Sequence, residues 1–188
     1  MVTHYIHRGL AKKNFKENTL SAFKYSFKQK YGIETDLQVT KDNQLICFHD
    51  FNLRRKFNLN KNVKDINYST LKKISKKRKA TVPLLKDLLK ISKNRYPLLL
   101  EIKPLLTKLN LLSLIKLMKK AKKYRIFSFK EKNLINLYKL NKKLTLGLLF
   151  LSNKKLNSIK KKIYYYTVKN KSLFKKYRES KNLIFENL

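Results

Sequence analysis

Short apolar runs alternate with amphipathic, lysine-rich segments along most of the chain. Apolar runs of four to eight residues predict buried strands, and apolar residues spaced three or four apart predict helices. The predicted strands cover 2–7, 33–40, 45–48, 97–103, 126–129, 145–150, 162–168 and 183–185. The predicted helices cover the stretch from the Asn18–Thr19 cap to Gly32, and then 82–92, 109–122 and 132–140. This alternation predicts an α/β fold with parallel strands.

The chain shows no internal repeat and no linker, so we interpret residues 1–188 as a single domain. Residues 51–70 are polar and irregular, which predicts an excursion over the surface. A length of 188 residues is short for a complete α/β barrel, which takes about 250. With 43% hydrophobic residues, including 11 Phe and 11 Tyr, the chain can still form a buried core.

The formal net charge of +36 favours two interpretations. It could serve binding to nucleic acid or to an anionic membrane. However, lysine is spread along nearly the whole chain, and glycine and proline are rare, which biased codon usage would produce without any partner. We therefore expect no specific nucleic acid. In either case a positive field favours encounters with anionic substrates.

Cysteine usage and the N-terminal sequence bear on the compartment. Cys47 is the single cysteine, so no disulfide within the chain is possible and a reducing environment fits. Residues 1–9 lack the apolar region of a signal peptide, and no stretch reaches the roughly 20 apolar residues of a membrane span. We expect a soluble, cytoplasmic protein.

Polar side chains cluster at the ends of four predicted strands. The clusters are His7-Arg8-Gly9, Glu34 with Asp36, His49-Asp50, and Glu101 with Lys103. Residues two apart in a strand point to the same side, so each carboxylate-bearing pair presents both side chains on one face. Active sites of α/β barrels assemble at the carboxyl ends of the strands. The pattern therefore predicts one site at one end of a barrel.

Three carboxylates without soft ligands favour a hard divalent cation such as Mg²⁺ or Ca²⁺, with Mn²⁺ as a further possibility. Each residue also has a structural interpretation. Either histidine alone is more often a hydrogen-bonded structural residue, and Glu34 and Asp36 could pair with some of the 47 basic residues. Asn18 is interpreted as a helix cap. The combination of the four clusters favours the functional interpretation.

The motifs, in this order, closely resemble the glycerophosphodiester phosphodiesterase family. The resemblance rests on His7-Arg8-Gly9, Glu17-Asn18-Thr19-Leu20 with Ala22-Phe23, Gly32-Ile33-Glu34-Thr35-Asp36, Thr40-Lys41-Asp42-Asn43, His49-Asp50 with Leu53, Val82-Pro83-Leu84-Leu85, Leu100-Glu101-Ile102-Lys103, Phe127-Ser128-Phe129 and Gly147-Leu148-Leu149. The first hundred residues match specifically, and the later motifs are individually weak. The resemblance implies a TIM-type (β/α) barrel.

The resemblance also implies an activity, which is metal-dependent hydrolysis of a glycerophosphodiester to glycerol 3-phosphate and an alcohol. It assigns seven residues to three roles: the metal ligands Glu34, Asp36 and Glu101, the phosphate contacts Arg8 and Lys103, and the acid–base pair His7 and His49. The residues do not determine which histidine is the base. Phosphodiester hydrolysis of a lysophospholipid or phospholipid at an anionic membrane surface stays an alternative, as do a non-catalytic relative and a nucleic-acid-binding module.

The chain departs from the family pattern towards its C-terminus. Tyr166-Thr167-Val168-Lys169 follows Gly147-Leu148-Leu149 after only a short lysine-rich stretch, so about one β/α unit is expected to be missing. The family's closing Thr-Asp pair corresponds to Glu186-Asn187, and its substrate-capping insertion corresponds to the short segment 51–70. A shortened barrel could be open or be completed in a homo-oligomer.

Overall fold

The computed structural model of the chain describes residues 5–11, 16–150, 165–168 and 183–185. Parts of the predicted first and seventh strands, at residues 2–4 and 162–164, lie outside these ranges, as does the Glu186-Asn187 pair. The described strands and helices occupy nearly the positions that the hydrophobic pattern predicts, with two exceptions given below.

The described strands belong to one sheet. They are β1 Tyr5–His7, β2 Gly32–Val39, β3 Leu45–Cys47, β4 Leu98–Ile102, β5 Tyr124–Ser128, β6 Leu146–Phe150, β7 Tyr165–Val168 and β8 Leu183–Phe185. Seven of them are parallel, in the order β1-β2-β4-β5-β6-β7-β8. The described helices are α1 Leu20–Lys28, α2 Arg54–Phe57, α3 Tyr68–Lys77, α4 Leu85–Ser92, α5 Lys108–Met118 and α6 Glu131–Leu140.

This alternation of parallel strands with helices is a TIM-type barrel, as predicted. A complete barrel has eight parallel strands, and the described residues supply seven. The count agrees with the expected loss of about one β/α unit. Among the described residues, β1 and β8 are the two ends of the path of hydrogen-bonded strands.

The first exception is β3, which pairs antiparallel with β2, whereas the predicted α/β fold has parallel strands. A tight turn at Thr40–Gln44 reverses the chain, with the Thr40 amide donating to the Gln44 carbonyl at 3.1 Å. The Asp36 carbonyl accepts from the Phe48 amide at 2.9 Å, while the next carbonyl, Leu37, accepts from Lys103 on the opposite edge. β1 and β3 therefore pair with the same edge of β2, one after the other along its length. The chain that leaves β3 returns towards the end of β1.

The second exception is the segment 51–70, which was expected to be an irregular excursion. It contains α2, a 3₁₀ turn at Val63–Asp65 and the start of α3. Its sparse apolar residues close a second hydrophobic cluster against β3. The buried members are Ile46, Phe48, Leu53, Phe57, Val63, Ile66, Leu71, Ala80, Val82 and Leu84. Packing in this cluster fixes the position of segment 51–70, and the segment forms an ordered wall beside the ends of the strands.

The main core lies between the sheet and helices α1, α4, α5 and α6. Helix α1 shows why these segments become helices. Its Ala22, Phe23 and Phe27 are spaced to bury one face, and the Thr19 hydroxyl oxygen accepts from the Ala22 amide at 3.3 Å as the N-cap. In the part of the chain that the structure describes, no helix has the length and apolar character needed to cross a membrane.

Candidate active site

Three buried carboxylates meet at the carboxyl ends of β2 and β4. Glu34 and Asp36 share one face of β2, and Glu101 lies opposite Asp36 in the register with β4. One carboxylate oxygen from each residue lies within 4.8 Å of the others. All three side chains are nearly inaccessible to solvent. Their mutual repulsion in a poorly hydrated site requires compensating positive charge.

Two basic side chains supply part of that compensation. Lys103 Nζ lies 3.0 Å from Glu101 Oε1 and 3.6 Å from Asp36 Oδ1. Arg8 Nε lies 3.4 Å from Asp36 Oδ2, and the Arg8 backbone amide donates to Glu34 Oε2 at 3.3 Å. Burial alone would lower the pKa of Lys103, but the charges of Glu101 and Asp36 outweigh it and raise that pKa above its ordinary value. The ammonium is therefore charged at neutral pH.

The hydrogen bonding at the cluster is incomplete. Within the described residues, Glu101 Oε1 and Arg8 Nε are buried and make no directed hydrogen bond, although each contacts an opposite charge. A buried carboxylate oxygen without a hydrogen bond is costly unless a cation compensates it. Because the three carboxylates offer only hard oxygen ligands, the site fits a divalent cation of the Mg²⁺ or Ca²⁺ type.

Asn18 has a role that the sequence did not predict. It was interpreted as a helix cap, but Thr19 alone fulfils that role. Asn18 adopts a left-handed conformation with φ of 52°, and its side chain is buried. Its Nδ2 donates to Asp36 Oδ2 at 3.1 Å, and its Oδ1 accepts from the Thr35 hydroxyl at 2.6 Å. Asn18 therefore orients one of the three carboxylates.

The two histidines are partly exposed, at 29% for His7 and 31% for His49. His7 Nε2 is 3.9 Å from Glu34 Oε2. His49 Nδ1 is 2.7 Å from Asp50 Oδ1. Hydrogen bonds from Arg55 and His49 outweigh the burial of Asp50 and lower its pKa, so it is a carboxylate at neutral pH. A carboxylate only accepts, so a neutral His49 carries its proton on Nδ1.

Glu17 joins the two sides of the site. It accepts from Arg8 Nη1 at 3.2 Å and from Arg55 Nη2 at 2.6 Å, and Lys56 Nζ lies 3.7 Å from its carboxylate. Burial would raise the pKa of Glu17, but the Arg55 hydrogen bond and the charges of Lys56, Arg55 and Arg8 lower it to about 2. Burial lowers the pKa of Lys56 to about 8. Arg55 and Lys56 were not predicted as site residues because they lie in segment 51–70, which was interpreted as a surface excursion.

Gly9 allows the loop that carries Arg8 to lie against α1. Its φ is +72°, in the left-handed region that favours glycine. A Cβ at this position would lie 2.7 Å from Phe23 Cδ1 and 3.1 Å from the Ala22 carbonyl carbon. The position therefore excludes any side chain, and it fixes the path of the backbone into the site.

The chain is similar to known proteins. The model of the glycerophosphoryl diester phosphodiesterase family matches residues 7–186. This chain belongs to that family. Its resemblance to the family in the first hundred residues is therefore confirmed by a match over nearly the whole chain.

Among curated relatives, a glycerophosphodiester phosphodiesterase from Bacillus altitudinis is 34% identical over 110 residues, which cover 54% of this chain and 44% of that protein. A lysophospholipase D from Homo sapiens is 41% identical over 69 residues, covering 36% of this chain and 22% of that protein. The matched stretches thus span less than half of either relative.

Two solved structures show the same fold. The Thermotoga maritima glycerophosphodiester phosphodiesterase has a TM-score of 0.76 at 20% identity, covering 98% of this chain and 94% of that one. An Oleispira antarctica phosphodiesterase, solved with its product sn-glycerol-3-phosphate, has a TM-score of 0.82 at 17% identity, covering 98% and 83%. These likenesses agree with the barrel described above.

Proposed function

We propose that this protein hydrolyses glycerophosphodiesters to glycerol 3-phosphate and an alcohol. The observation that carries the proposal is the buried cluster of Glu34, Asp36 and Glu101, flanked by Arg8 and Lys103. Membership of the phosphodiesterase family supports the same activity. The product bound to the Oleispira antarctica relative supports glycerol 3-phosphate as the released half of the substrate.

Glu34, Asp36 and Glu101 would hold a divalent cation, with Mg²⁺ or Ca²⁺ favoured by the all-oxygen ligand set and Mn²⁺ as a further possibility. Such a cation supplies charge neutralisation and polarisation of a phosphoryl oxygen. Arg8 and Lys103 are 17% and 15% exposed, so both side chains contact the cluster and remain partly accessible to solvent. Their role would be to bind the phosphodiester anion and to stabilise charge that develops on it.

His7 and His49 would divide the proton transfers. One imidazole takes a proton from the attacking hydroxyl of water or of the glycerol 2-position, and the other donates a proton to the leaving alcohol. Attack by the glycerol 2-hydroxyl would give a cyclic phosphate, which water then opens to glycerol 3-phosphate. The hydrogen bond from Nδ1 of His49 to Asp50 leaves Nε2 as the atom that exchanges its proton with substrate. The contact of His7 Nε2 with Glu34 orients the other ring beside the carboxylate cluster.

The test is release of glycerol 3-phosphate from glycerophosphocholine, glycerophosphoethanolamine and glycerophosphoglycerol, with Mg²⁺, Ca²⁺, Mn²⁺ or EDTA. We expect metal-dependent release that is lost in His7→Ala and in Glu34→Ala. Asp65→Asn is the matched control, because Asp65 is an exposed acid on the 3₁₀ turn outside the site. No release from folded, metal-loaded protein would reject this substrate class and favour binding without turnover.

A second candidate function is hydrolysis of a lysophospholipid at an anionic membrane surface. The observation that favours it is a rim of exposed apolar side chains beyond β4 and β5, namely Leu105, Leu109, Leu112 and Phe129. Asn133 on α6 accepts from the Leu106 amide and donates to the Pro104 carbonyl, which fixes the loop between β4 and α5 against α6. Greater release of the head group from lysophosphatidylcholine in anionic vesicles than from glycerophosphocholine would support this candidate.

A further inference from the structure

A continuous chain of charged contacts connects the proposed phosphate-binding arginine with one of the proposed catalytic histidines. Arg8 Nη1 contacts Glu17 at 3.2 Å, and Glu17 contacts Arg55 Nη2 at 2.6 Å. Arg55 Nε contacts Asp50 Oδ2 at 2.7 Å, and Asp50 Oδ1 contacts His49 Nδ1 at 2.7 Å. The three intermediate residues come from the β1–α1 loop, from α2 and from the β3–α2 connection.

We propose that Glu17, Arg55 and Asp50 are positioning residues that fix the His49 imidazole relative to the Arg8 guanidinium. In this arrangement the Arg55 guanidinium fixes the relative position of two groups: Arg8, which would bind the phosphate, and His49, which would transfer the proton. The roles given to Arg8 and His49 rest on the proposed phosphodiesterase function. The positioning of His49 relative to Arg8 is a property of the free protein and can be tested without that function.

Arg55 has the geometry that this bridging role requires. It donates to both oxygens of Asp50, through Nε at 2.7 Å and Nη2 at 3.3 Å, and the same Nη2 donates to Glu17. The planar guanidinium presents several donors in a fixed arrangement, whereas an ammonium is a single point of contact on a flexible stem. A lysine at this position would keep the charge and lose the simultaneous contacts with Asp50 and Glu17.

Stability alone does not account for Arg55. The side chain is 54% exposed, and ion pairs at such exposure contribute about 0–1 kcal/mol to folding. Its neighbour on the same helix, Arg54, is also exposed, and its hydrogen bonds in the structure are made by the backbone, to Asn52 and Asn58. The two adjacent arginines thus differ in one respect. The Arg55 side chain bridges Asp50 and Glu17, whereas the hydrogen bonds of Arg54 are made by its backbone. They form a matched pair for an experiment.

The kinetic test compares Arg55→Lys with Arg54→Lys. Misplacement of a reacting group by about 1 Å lowers rates by up to about 100-fold, so we expect kcat to fall about 10- to 100-fold in Arg55→Lys. Arg54→Lys should stay within about twofold of the wild type, as surface substitutions usually do. Asp50→Asn combined with Arg55→Lys should be little worse than Asp50→Asn alone, because residues that act as a unit are not additive. Additive losses, or equal losses in both arginine variants, would overturn the proposal.

A spectroscopic test separates positioning from activity. In ¹⁵N-labelled free protein at alkaline pH, where the ring is neutral, we expect His49 to give a protected Nδ1–H resonance. In Asp50→Asn the Arg55 donors take the amide oxygen, so the amide nitrogen faces Nδ1 and the ring should shift to the Nε2–H tautomer. In Arg55→Lys the Nδ1–H resonance should be lost to solvent exchange while circular dichroism stays native.

The two readouts have distinct meanings. Loss of the resonance in Arg55→Lys from a protein without phosphodiesterase activity would uphold the positioning and reject the proposed function. A resonance that is unchanged in Arg55→Lys, or a wild-type ring that carries its neutral proton on Nε2, would overturn the positioning whatever the activity. In either case the Nδ1–H resonance of His49 must be retained in Arg54→Lys.

Discussion

Replacement of Asn18 by alanine is expected to damage both the fold and the cation site. The side chain is 1% exposed and makes two buried hydrogen bonds, to Asp36 Oδ2 and from the Thr35 hydroxyl. Its backbone φ of 52° is one that asparagine tolerates better than alanine. The substitution therefore removes a charge-assisted bond and the partner of a buried hydroxyl, and it adds backbone strain.

The magnitude follows from these three effects. Loss of a hydrogen bond to a carboxylate is worth about 1.5–3 kcal/mol, and an unsatisfied buried hydroxyl about 1–3 kcal/mol. Alanine lacks the side-chain amide that makes the left-handed conformation tolerable for asparagine, which adds about 1 kcal/mol. These effects sum to about 3.5–7 kcal/mol, and we expect the free energy of unfolding of Asn18→Ala to fall by that amount. That loss is a large part of the total for a typical domain.

The backbone contribution can be measured separately in Asn58→Ala. Asn58 has a φ of 53°, almost equal to that of Asn18, but it is exposed at the end of α2. Urea unfolding in EDTA should therefore show a loss of about 1 kcal/mol for Asn58→Ala. The difference between the two variants, about 2.5–6 kcal/mol, isolates the buried hydrogen bonds of Asn18.

The same pair of variants tests the effect on cation binding. Partners that orient metal ligands typically change metal affinity about 10- to 100-fold, so Mg²⁺ or Ca²⁺ titration of Asn18→Ala by calorimetry should show a loss in that range. Asn58→Ala should bind as the wild type does. If Asn18→Ala is no less stable than Asn58→Ala and binds the cation equally well, the assignment of Asn18 as an orienting residue is wrong.

Three further results are expected. Mg²⁺ or Ca²⁺ at about 100 times its dissociation constant should stabilise the protein by about 2.7 kcal/mol in thermal unfolding, and Glu101→Gln should abolish that increment. Gly9→Ala should lower the free energy of unfolding by about 2 kcal/mol or more, since the Cβ meets Phe23 at 2.7 Å, and Gly9→Ala protein with a wild-type unfolding curve would contradict this. The pKa of Glu17 is about 2 when folded against an ordinary 4.5, so its ionised form contributes stability above pH 4.5 that is lost as pH falls towards 2. The free energy of unfolding of Glu17→Gln should not show this loss as pH falls from 4.5 towards 2, whereas that of Asp65→Asn should show it.

Local patterns were sufficient to predict most of the fold. Helix α1 carries its own signals, which are a capping Thr19 and an apolar stripe. Strand β2 has apolar residues at alternating positions, and β4 begins with three consecutive leucines. The segment 51–70 was misjudged because its apolar residues are sparse and serve a separate small cluster, which no local periodicity reveals. The antiparallel direction of β3 follows from the tight Thr40–Gln44 turn, a signal that was present in the sequence as Lys41-Asp42-Asn43.

The candidate site was predictable only in part for a related reason. Glu34, Asp36 and Glu101 could be grouped because alternation along a strand and the common direction of parallel strands are local rules. Asn18 reaches Asp36 across 18 positions of sequence, and Arg55 reaches Glu17 across 38. Contacts of this kind depend on the packing of a loop against a wall of the barrel, so they appear only in three dimensions. The catalytic and ligand roles themselves stay predictions.

The distribution of charge gives a further argument for the proposed chemistry. The chain has 11 acidic residues against 47 basic ones, yet five of the acids meet here, at Glu17, Glu34, Asp36, Asp50 and Glu101. Four basic side chains contact them, at Arg8, Arg55, Lys56 and Lys103. With neutral imidazoles the site carries a net charge of −1, which would repel a phosphodiester. A bound divalent cation reverses it to +1, matching the single negative charge of the substrate. The strongly basic surface would attract anions without discrimination, so binding at this site should depend on the cation.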